Sequence, residues 1–231
     1  MYIFFEERKL WIARILCGNF STKREIYSII LCGAQWEKRT NATRDRGEIL
    51  EHIEGEGICL RAVDFGENDK ILTLYLAQKG KVAVKARGCK SQKSKLKYAA
   101  TPLCFGKYYL AGRGRYTLAG CDLIDSFFSV TVDPVKYYCA CVILEVADKM
   151  CLEEEYNHRL FVAMLNALNG LCYCAEYPKV NLFNSLKDMT LALGYEVKAI
   201  TLKDYYNYFY HTHSTKINSL KELIKLGEFN A

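Results

Sequence analysis

The sequence predicts an α+β fold in which a five-stranded β-barrel is followed by an α-helical domain. Two observations on the 231-residue chain support this. Between Gly57 and Ile124, short runs rich in Val, Ile, Leu and Tyr are separated by glycine-containing turns, which is typical of β-strands. After Phe128 the apolar residues recur at helical spacing instead. A composition of 51% hydrophobic and 25% charged residues fits a globular protein with a buried core.

The β-rich part contains five predicted strands, at 57–63, 70–77, 81–87, 103–110 and 115–123. A long connection follows the third strand, which suits a Greek-key barrel of the OB type, a fold that commonly binds oligonucleotides. The predicted barrel domain spans 55–130. Residues 1–54 show no clean periodicity and are treated as an unassigned N-terminal extension.

The predicted helical domain spans 131–231 and begins with two helices. Asp133 followed by Pro134 is typical of an N-cap with proline in the first helical turn. The apolar residues of 160–171 are spaced i, i+3, i+4 and i+7, which predicts a second helix with one apolar face.

Two further helices complete the predicted domain. A third helix is expected from about Asn181 to Leu193, ending at Gly194. Ser219 and Glu222 have the spacing of a capping box, which predicts a short last helix.

The cysteine pattern and the apolar runs bear on the compartment. Eleven cysteines, an odd number without even spacing, do not fit the disulfide framework of a small secreted domain. We expect reduced thiols in a cytoplasm. No apolar run approaches the ~20 residues that span a bilayer, so neither a membrane span nor a secretory signal is predicted.

The positive charge is concentrated in one segment. Lys70–Cys121 contains twelve Lys and Arg residues and no Asp or Glu, whereas the rest of the chain holds 20 basic and 26 acidic residues. The formal net charge of +6 therefore belongs to this segment alone. Such a concentration of one sign favours a polyanionic partner, and nucleic acid is the first expectation.

The basic residues of this segment are the predicted contacts to a nucleic-acid backbone. Between Lys81 and Arg87, basic and apolar residues alternate with period two, so one face of the strand packs and the other is basic. The polar stretch 88–97 then predicts a loop that lies over phosphates. Ammonium groups and guanidinium forks neutralise phosphates without reading bases. The predicted contacts are Lys81, Lys85, Arg87, Lys90, Lys93, Lys95, Lys97, Arg113 and Arg115.

Four aromatic residues of the same region are candidates for stacking on unpaired bases: Phe65, Tyr108, Tyr109 and Tyr116. Strand alternation puts Tyr108 and Tyr109 on opposite faces, so at least one of them is expected in the core. Core packing is the alternative for each of the four.

Several motifs around the basic strand occur together in a known family. They are Gly57-Ile58-Cys59-Leu60-Arg61, Asp64-Phe65-Gly66-Glu67-Asn68-Asp69-Lys70-Ile71-Leu72-Thr73-Leu74, Gly80-Lys81, Ala86-Arg87-Gly88-Cys89-Lys90 and Lys93-Ser94-Lys95-Leu96. This string resembles the N-terminal domain of the RecO family of bacterial DNA repair proteins. Pro102, Tyr108, Arg113, Leu118 and Phe127 continue the resemblance, which covers roughly 56–194.

The resemblance implies a non-enzymatic recombination mediator without a cofactor. Such proteins bind single-stranded and double-stranded DNA, anneal complementary strands and, with the partner RecR, help to load RecA onto gaps coated by single-strand binding protein. The implied location is the bacterial cytoplasm, at the nucleoid. Two alternatives stay open from the residues: an RNA-binding OB-fold protein, and a metal-dependent nuclease built on Asp64, Glu67 and Asp69.

The resemblance also implies a pocket in the helical domain for the acidic, apolar C-terminal tail of single-strand binding protein. Such a tail needs an apolar groove edged by a cation. We place it at the third helix, which offers Phe183, with Lys179 and Lys187 nearby, and ordinary core packing is the alternative. Leu182, Leu186 and Met189 are the other apolar residues expected there.

The sequence departs from the family pattern after Gly194-Tyr195. Many members carry a four-cysteine zinc knuckle there, but no cysteine follows Cys174. The Cys139-x-Cys141 and Cys172-x-Cys174 pairs lack the two-residue spacer of a zinc ribbon, so no metal site is predicted. The part after Tyr195 is short and tyrosine-rich, and we expect a degenerate or truncated end of the helical domain.

Overall fold

The computed structural model describes residues 51–174 and 177–226, and the backbone of 44–45, 48–49 and 227–228. All of them belong to one unit, Ala42–Ala231. Most of the extension predicted for 1–54 lies outside the described residues. The first barrel strand nevertheless begins at Glu51, so the last four residues assigned to the extension are part of that strand.

Five strands form a closed barrel in the order β1-β2-β3-β5-β4, with β4 pairing back onto β1. Every neighbouring pair is antiparallel except β3 and β5, which are parallel. The predicted OB-type barrel is therefore confirmed, and the long predicted connection joins β3 to β4. The strands are β1 (Glu51–Phe65), β2 (Asp69–Leu76), β3 (Gly80–Ala86), β4 (Phe105–Arg113) and β5 (Arg115–Asp125). A separate short pair joins Arg44–Asp45 to Glu48–Ile49.

Alternating burial on β3 matches the period-two pattern of its sequence. Val82, Val84 and Ala86 lie in the barrel core, whereas Ala83 is exposed and Lys85 is partly exposed. Burying each of the two valines is worth about 1.5–3 kcal/mol relative to leaving it in water. A one-residue slip would expose all three apolar side chains, so this pattern fixes the register of β3.

The β2–β3 turn can accommodate only glycine where β3 begins. Gly80 has φ +78°, and a Cβ built on it would lie 2.0 Å from the carbonyl oxygen of Glu155. That oxygen belongs to the segment between the second and third helices described below, so the turn is pressed against the helical domain.

Six helices follow the barrel within the described residues. They are α1 (Phe128–Val132), α2 (Pro134–Met150), α3 (His158–Tyr173), α4 (Pro178–Ala192), α5 (Leu202–His213) and α6 (Asn218–Glu228). The Asp133 side chain accepts hydrogen bonds from the backbone N–H groups of Val135 and Lys136, which confirms the predicted N-cap of α2. Helix α4 ends just before Gly194, whose φ of +85° is the left-handed conformation expected after a helix.

Helix α6 begins where expected, but the predicted capping box is wrong. The Ser219 hydroxyl donates to the carboxylate of Glu145 on α2, and Glu222 pairs with Lys225 at 2.8 Å. The backbone N–H groups of Asn218 and Ser219 also donate to Glu145, at 2.9 and 2.8 Å. The first turn of α6 is therefore capped by a carboxylate from another helix.

Helix α5 was not predicted. Its N-terminus is a capping box, in which the Thr201 hydroxyl accepts from the Asp204 N–H and the Asp204 carboxylate accepts from the Thr201 N–H. Tyr205 and Phe209, four residues apart, are its buried residues. Part of the tyrosine-rich stretch therefore forms a capped helix, and the expected degenerate or truncated end of the domain stays a prediction.

One side of the barrel is covered by the helices. Ile58 of β1, Tyr75 of β2 and Phe105 of β4 leave the barrel core and join the helical core. The Phe161 ring of α3 lies 6.3 Å from both the Tyr75 and the Phe105 ring, centroid to centroid. No helix among the described residues is long and apolar enough to cross a membrane.

Candidate nucleic-acid interface

The part of the barrel that the helices leave open includes Lys85 on strand β3. Strand pairing places Lys85 on β3 opposite Ile71 of β2 and beside Thr117 of β5. The Lys85 Nζ lies 4.8 Å from the centroid of the Phe65 ring, and the Phe65 side chain is 52% exposed. An exposed aromatic face with a cation above it is suited to contact a nucleotide, because a base can stack on the ring while the cation attracts the phosphate.

A neighbouring row of outward-facing residues contains three arginines. Arg61 on β1 pairs with Thr73, and Thr73 pairs with Ala83 of β3. Strand β5 runs beside β3 and continues the row with Arg115, which pairs with Arg113 of β4. The short side chains of Thr73 and Ala83 thus lie in the middle of the row. Arg61 lies on one side of them, and Arg115 and Arg113 lie on the other. Arg61 is exposed and was missed as a candidate, although it stands within the motifs that carry the family resemblance.

The turn between β1 and β2 is tied to the basic residues by two carboxylates. Asp69 accepts a hydrogen bond from the Gly88 N–H at 2.8 Å and pairs with Lys85 at 2.9 Å. Both contacts hold the pKa of Asp69 below its usual value, and the hydrogen bond from Gly88 has the larger effect. Asp64 pairs with Lys90 at 3.0 Å, and this hydrogen bond lowers the pKa of Asp64.

The same carboxylates were the basis of the nuclease alternative. Asp64 and Asp69 are each bound by a lysine. In the part of the chain that the structure describes, no group of three or more His, Cys, Asp or Glu side chains is arranged to hold a metal ion. The arrangement explains these acids as the supports of a turn and a loop, and it gives the nuclease alternative no support.

The loop between β3 and β4 carries predicted phosphate contacts on an ordered base. Its small residues Ala99 and Ala100 are buried in the barrel core. The Tyr98 hydroxyl donates to the Cys121 carbonyl of β5 at 2.6 Å, and the Lys70 ammonium donates to the Ala100 carbonyl at 3.3 Å. The loop is thus anchored to the barrel near its C-terminal end, while Lys93, Lys95 and Lys97 are exposed.

Six of the nine predicted phosphate contacts are exposed and form no ion pair with any described residue. They are Arg87, Lys93, Lys95, Lys97, Arg113 and Arg115. Lys85 and Lys90 are only partly exposed and are paired with Asp69 and Asp64. A bound phosphate would have to compete with a carboxylate for each of these two lysines, so the six unpaired cations are the stronger candidates.

Lys81 does not belong to the open face. It lies opposite Tyr75, in the part of the barrel that the helices cover. Its side chain is 14% exposed, and the ammonium group donates to the Asp148 carbonyl of α2 at 2.5 Å and lies 3.9 Å from the carboxylate. The alternation of β3 correctly placed Lys81 outside the barrel. It did not show that helix α2 would cover this end of the strand.

Two of the four stacking candidates are core residues. Tyr108 is fully buried, and its hydroxyl donates to the carbonyls of Cys104 and Ala99, at 3.1 and 3.4 Å. Tyr116 is 5% exposed and packs in the same barrel core. Alternation explains both positions, because each side chain points into the barrel, so neither ring can reach a base.

The Tyr109 side chain points out of the barrel, as strand alternation predicts for the residue next to the buried Tyr108. Its hydroxyl donates to Asp122 at 2.7 Å, and the Lys107 Nζ lies 5.5 Å from the ring centroid. The hydrogen bond to Asp122 raises the pKa of Tyr109. Phe65 and Tyr109 are therefore the two predicted stacking residues that lie on the outer surface.

The predicted partner-binding residues on α4 line two different grooves. Lys179 and Phe183 lie at a groove of about 250 Å³ that also includes Ile200. Lys187 lies at a separate groove of about 300 Å³, beside residues 196–198. Phe183 is partly buried, with its ring edge-on to Tyr205 at 5.4 Å between centroids. The other apolar residues expected to line the pocket are core residues: Leu182, Leu186 and Met189.

The fold and its open basic face define an OB-barrel protein with a helical domain packed against the barrel. Two family models match the chain. The one described as Recombination protein O N terminal matches residues 50–127, and the one described as Recombination protein O C terminal matches residues 132–199. The chain belongs to the RecO family.

Individual relatives are similar over part of their length. The protein named DNA repair protein RecO of Acetivibrio thermocellus is 30% identical over 130 residues, which are 56% of this chain and 52% of that protein. That of Shouchella clausii is 36% identical over 117 residues, 50% of this chain and 46% of the relative. That of Bacillus cytotoxicus is 30% identical over 155 residues, 67% of this chain and 58% of the relative. The chain thus spans about half the length of the curated relatives it matches.

Proposed function

We propose that this protein is a non-enzymatic mediator of recombinational DNA repair that binds single-stranded and double-stranded DNA and anneals complementary strands. The observation that carries the proposal is the set of six exposed, unpaired cations on the open barrel face and the β3–β4 loop. Membership of the RecO family supports it, as does the name of the relatives, DNA repair protein.

The proposed mechanism is charge neutralisation, with no covalent step. Each Lys or Arg that contacts a phosphate releases condensed counterions, which favours binding without regard to base sequence. A strand held on the barrel face presents its bases next to Phe65 and Tyr109, which stack on them without pairing. With its phosphates partly neutralised, the bound strand repels a complementary strand less, so annealing becomes faster.

The proposed partners follow from the family. They are RecR, the C-terminal tail of single-strand binding protein and, indirectly, RecA, in a bacterial cytoplasm at the nucleoid. For the tail we propose the groove at Lys179 and Phe183, where an apolar floor adjoins an ammonium group. Lys187 lies at the neighbouring groove and would contact only a longer tail.

An annealing assay tests the proposal against its alternatives. Two complementary labelled DNA strands are mixed with the protein in EDTA, and duplex formation is followed by fluorescence transfer. We expect faster annealing without metal and no shortened products. Cleavage that depends on added Mg²⁺ would instead indicate a nuclease. A single-stranded RNA that competes better than DNA of the same sequence would replace the proposal by the RNA-binding alternative.

A further inference from the structure

The outer side of helix α5 carries a strip of aromatic and basic side chains that the barrel interface does not use. Tyr205 and Phe209 bury the inner side of the helix. Helical geometry therefore turns Lys203, Tyr206 and Tyr210, spaced by three and four residues, toward the outer side. Lys203 and Tyr210 are exposed and Tyr206 is partly exposed.

The two tyrosine rings of this strip are nearly parallel. Their centroids are 6.3 Å apart and their planes differ by 4°. Neither hydroxyl forms a hydrogen bond with any residue that the structure describes. Buried tyrosines generally find a partner for the hydroxyl, as Tyr108 does in the barrel core. Tyr206 also packs against the helical core, whereas Tyr210 is 41% exposed. The pair therefore presents the Tyr210 ring and part of the Tyr206 ring at the surface, and aromatic rings are the groups that stack on nucleobases.

A lysine is held over this platform. The Lys216 Nζ lies 5.9 Å from the Tyr210 ring centroid. Its backbone position is fixed on both sides: the Thr215 N–H donates to the Phe209 carbonyl at 3.0 Å, and the Lys149 ammonium donates to the Lys216 carbonyl. The cation is therefore placed by ordered backbone close to the outer ring.

The charge around the strip selects the kind of ligand. From Lys198 to Lys225 the chain has five lysines and two acids. Both acids are occupied, Asp204 in the capping box and Glu222 with Lys225. An acidic peptide would satisfy only the lysines. Single-stranded DNA would satisfy both groups, because its bases stack on the rings and its phosphates meet the ammonium groups.

We propose that Tyr206, Tyr210 and Lys216 form a second site for single-stranded DNA, distinct from the barrel face. This second site rests on the proposed function. It adds to that function because one chain would then have separate sites for the two strands that are to be annealed. The strip lies beyond residue 199, where the match to the second family model ends. It is thus a feature of this chain outside the region matched by that model.

The test uses the full chain with a weakened barrel site. In a variant with Arg87, Lys93 and Lys95 changed to Ala, we measure anisotropy of a labelled oligothymidylate and of an abasic oligomer of equal length. We expect residual binding of the oligothymidylate at low salt. Adding Tyr206→Leu and Tyr210→Leu should weaken that binding about tenfold or more, since each stacked base contributes on the order of a factor of 5 to 150. Binding of the abasic oligomer should hardly change.

Two controls separate stacking from folding. Tyr210→Phe keeps the ring and should bind as before, whereas Lys216→Gln leaves both rings in place and should lose affinity several-fold. Tyr177→Leu removes an 80% exposed tyrosine just before α4 and should have no effect.

Several results would overturn the second site. They are no residual binding in the barrel variant, equal losses for both oligomers, an equal loss in Tyr177→Leu, or displacement of the oligothymidylate by an acidic peptide at equal concentration. Failure of the proposed barrel site gives a different result: the barrel variant and the unchanged protein would bind equally well.

Discussion

At the scale of single residues, the face of a strand is easier to predict than what covers that face. Alternation correctly placed Lys85 outside the barrel and predicted that Tyr108 or Tyr109 is buried. It could not distinguish Lys81 from Lys85. Helix α2 covers only Lys81, and the α2 residue that contacts Lys81 is more than 60 residues away in the sequence. It also could not show that Lys85 is paired with Asp69, since that contact depends on the register in which β2 pairs with β3.

Phe65 offers a direct residue-scale test of base stacking. Phe65→Leu keeps an apolar side chain but removes the exposed ring. We therefore expect single-stranded DNA to bind about 5- to 150-fold more weakly, as for the loss of one stacked base worth about 1–3 kcal/mol. The matched control is Tyr108→Phe, which changes a buried side chain and should leave affinity unchanged. Titration of a labelled oligomer measures both, and an equal effect of the two changes would contradict the assignment of Phe65.

Gly80 tests the contact between the β2–β3 turn and the helical domain. In Gly80→Ala the new Cβ would lie 2.0 Å from the Glu155 carbonyl oxygen at a positive φ. We expect a loss of about 2–4 kcal/mol in the free energy of unfolding, from backbone strain and displacement of the Glu155 segment. Gly66→Ala is the control, because Gly66 also has a positive φ but its new Cβ would have no atom within 4 Å. Equal melting temperatures for the two variants would show that the turn is not pressed against this segment.

At the scale of elements, strands and capped helices were predicted where local signals were strong. The five strands and the N-cap of α2 follow from alternation, turn glycines and the Asp133-Pro134 pair. Helix α5 was missed because tyrosine is a modest helix former and its buried positions are aromatic like its exposed ones, so the apolar face does not stand out. The cap of α6 was assigned to Glu222 because the actual partner, Glu145, is 74 residues from Ser219.

The cap of α6 gives a prediction on pH. Partial burial opposes ionisation of Glu145, but the contacts from Lys149, Ser219 and Asn218 outweigh it and hold the pKa below its ordinary value. A lowered pKa in the folded state means that the stabilisation is complete above the ordinary value of 4.5 and is lost as the pH falls through the folded value. We expect Glu145→Gln to unfold about 1 kcal/mol more easily than the unchanged protein at pH 7.

This difference should shrink as the pH falls below 4.5, because protonation then removes the charge from the unchanged protein as well. Urea denaturation of both proteins at a series of pH values measures it. A difference that stays constant from pH 7 to the acid range would show that the charge of Glu145 does not contribute to the cap.

At the scale of the whole molecule, the fold places a helical layer on one side of the barrel and leaves the basic face open on another. The charge asymmetry of Lys70–Cys121 predicted the existence of that face. The sequence did not predict its outline, because Lys81 is removed by packing against α2 and Arg61 is added by strand pairing. The two grooves beside α4 likewise depend on residues 196–202 folding back along that helix.

If the six cations on this face that form no ion pair with a described residue bind the DNA backbone, the affinity for DNA must fall steeply as the salt concentration rises. For single strands the slope of log K against log salt is about −0.7 per phosphate contact, so six contacts predict a slope of about −4. Changing Arg87, Lys93 and Lys95 to Ala should reduce the slope to about −2. Changing Lys136, Arg159 and Lys187 of the helical domain removes the same charge and should leave the slope near −4. A slope near −1 for the unchanged protein, or the same slope in both triple variants, would contradict the account.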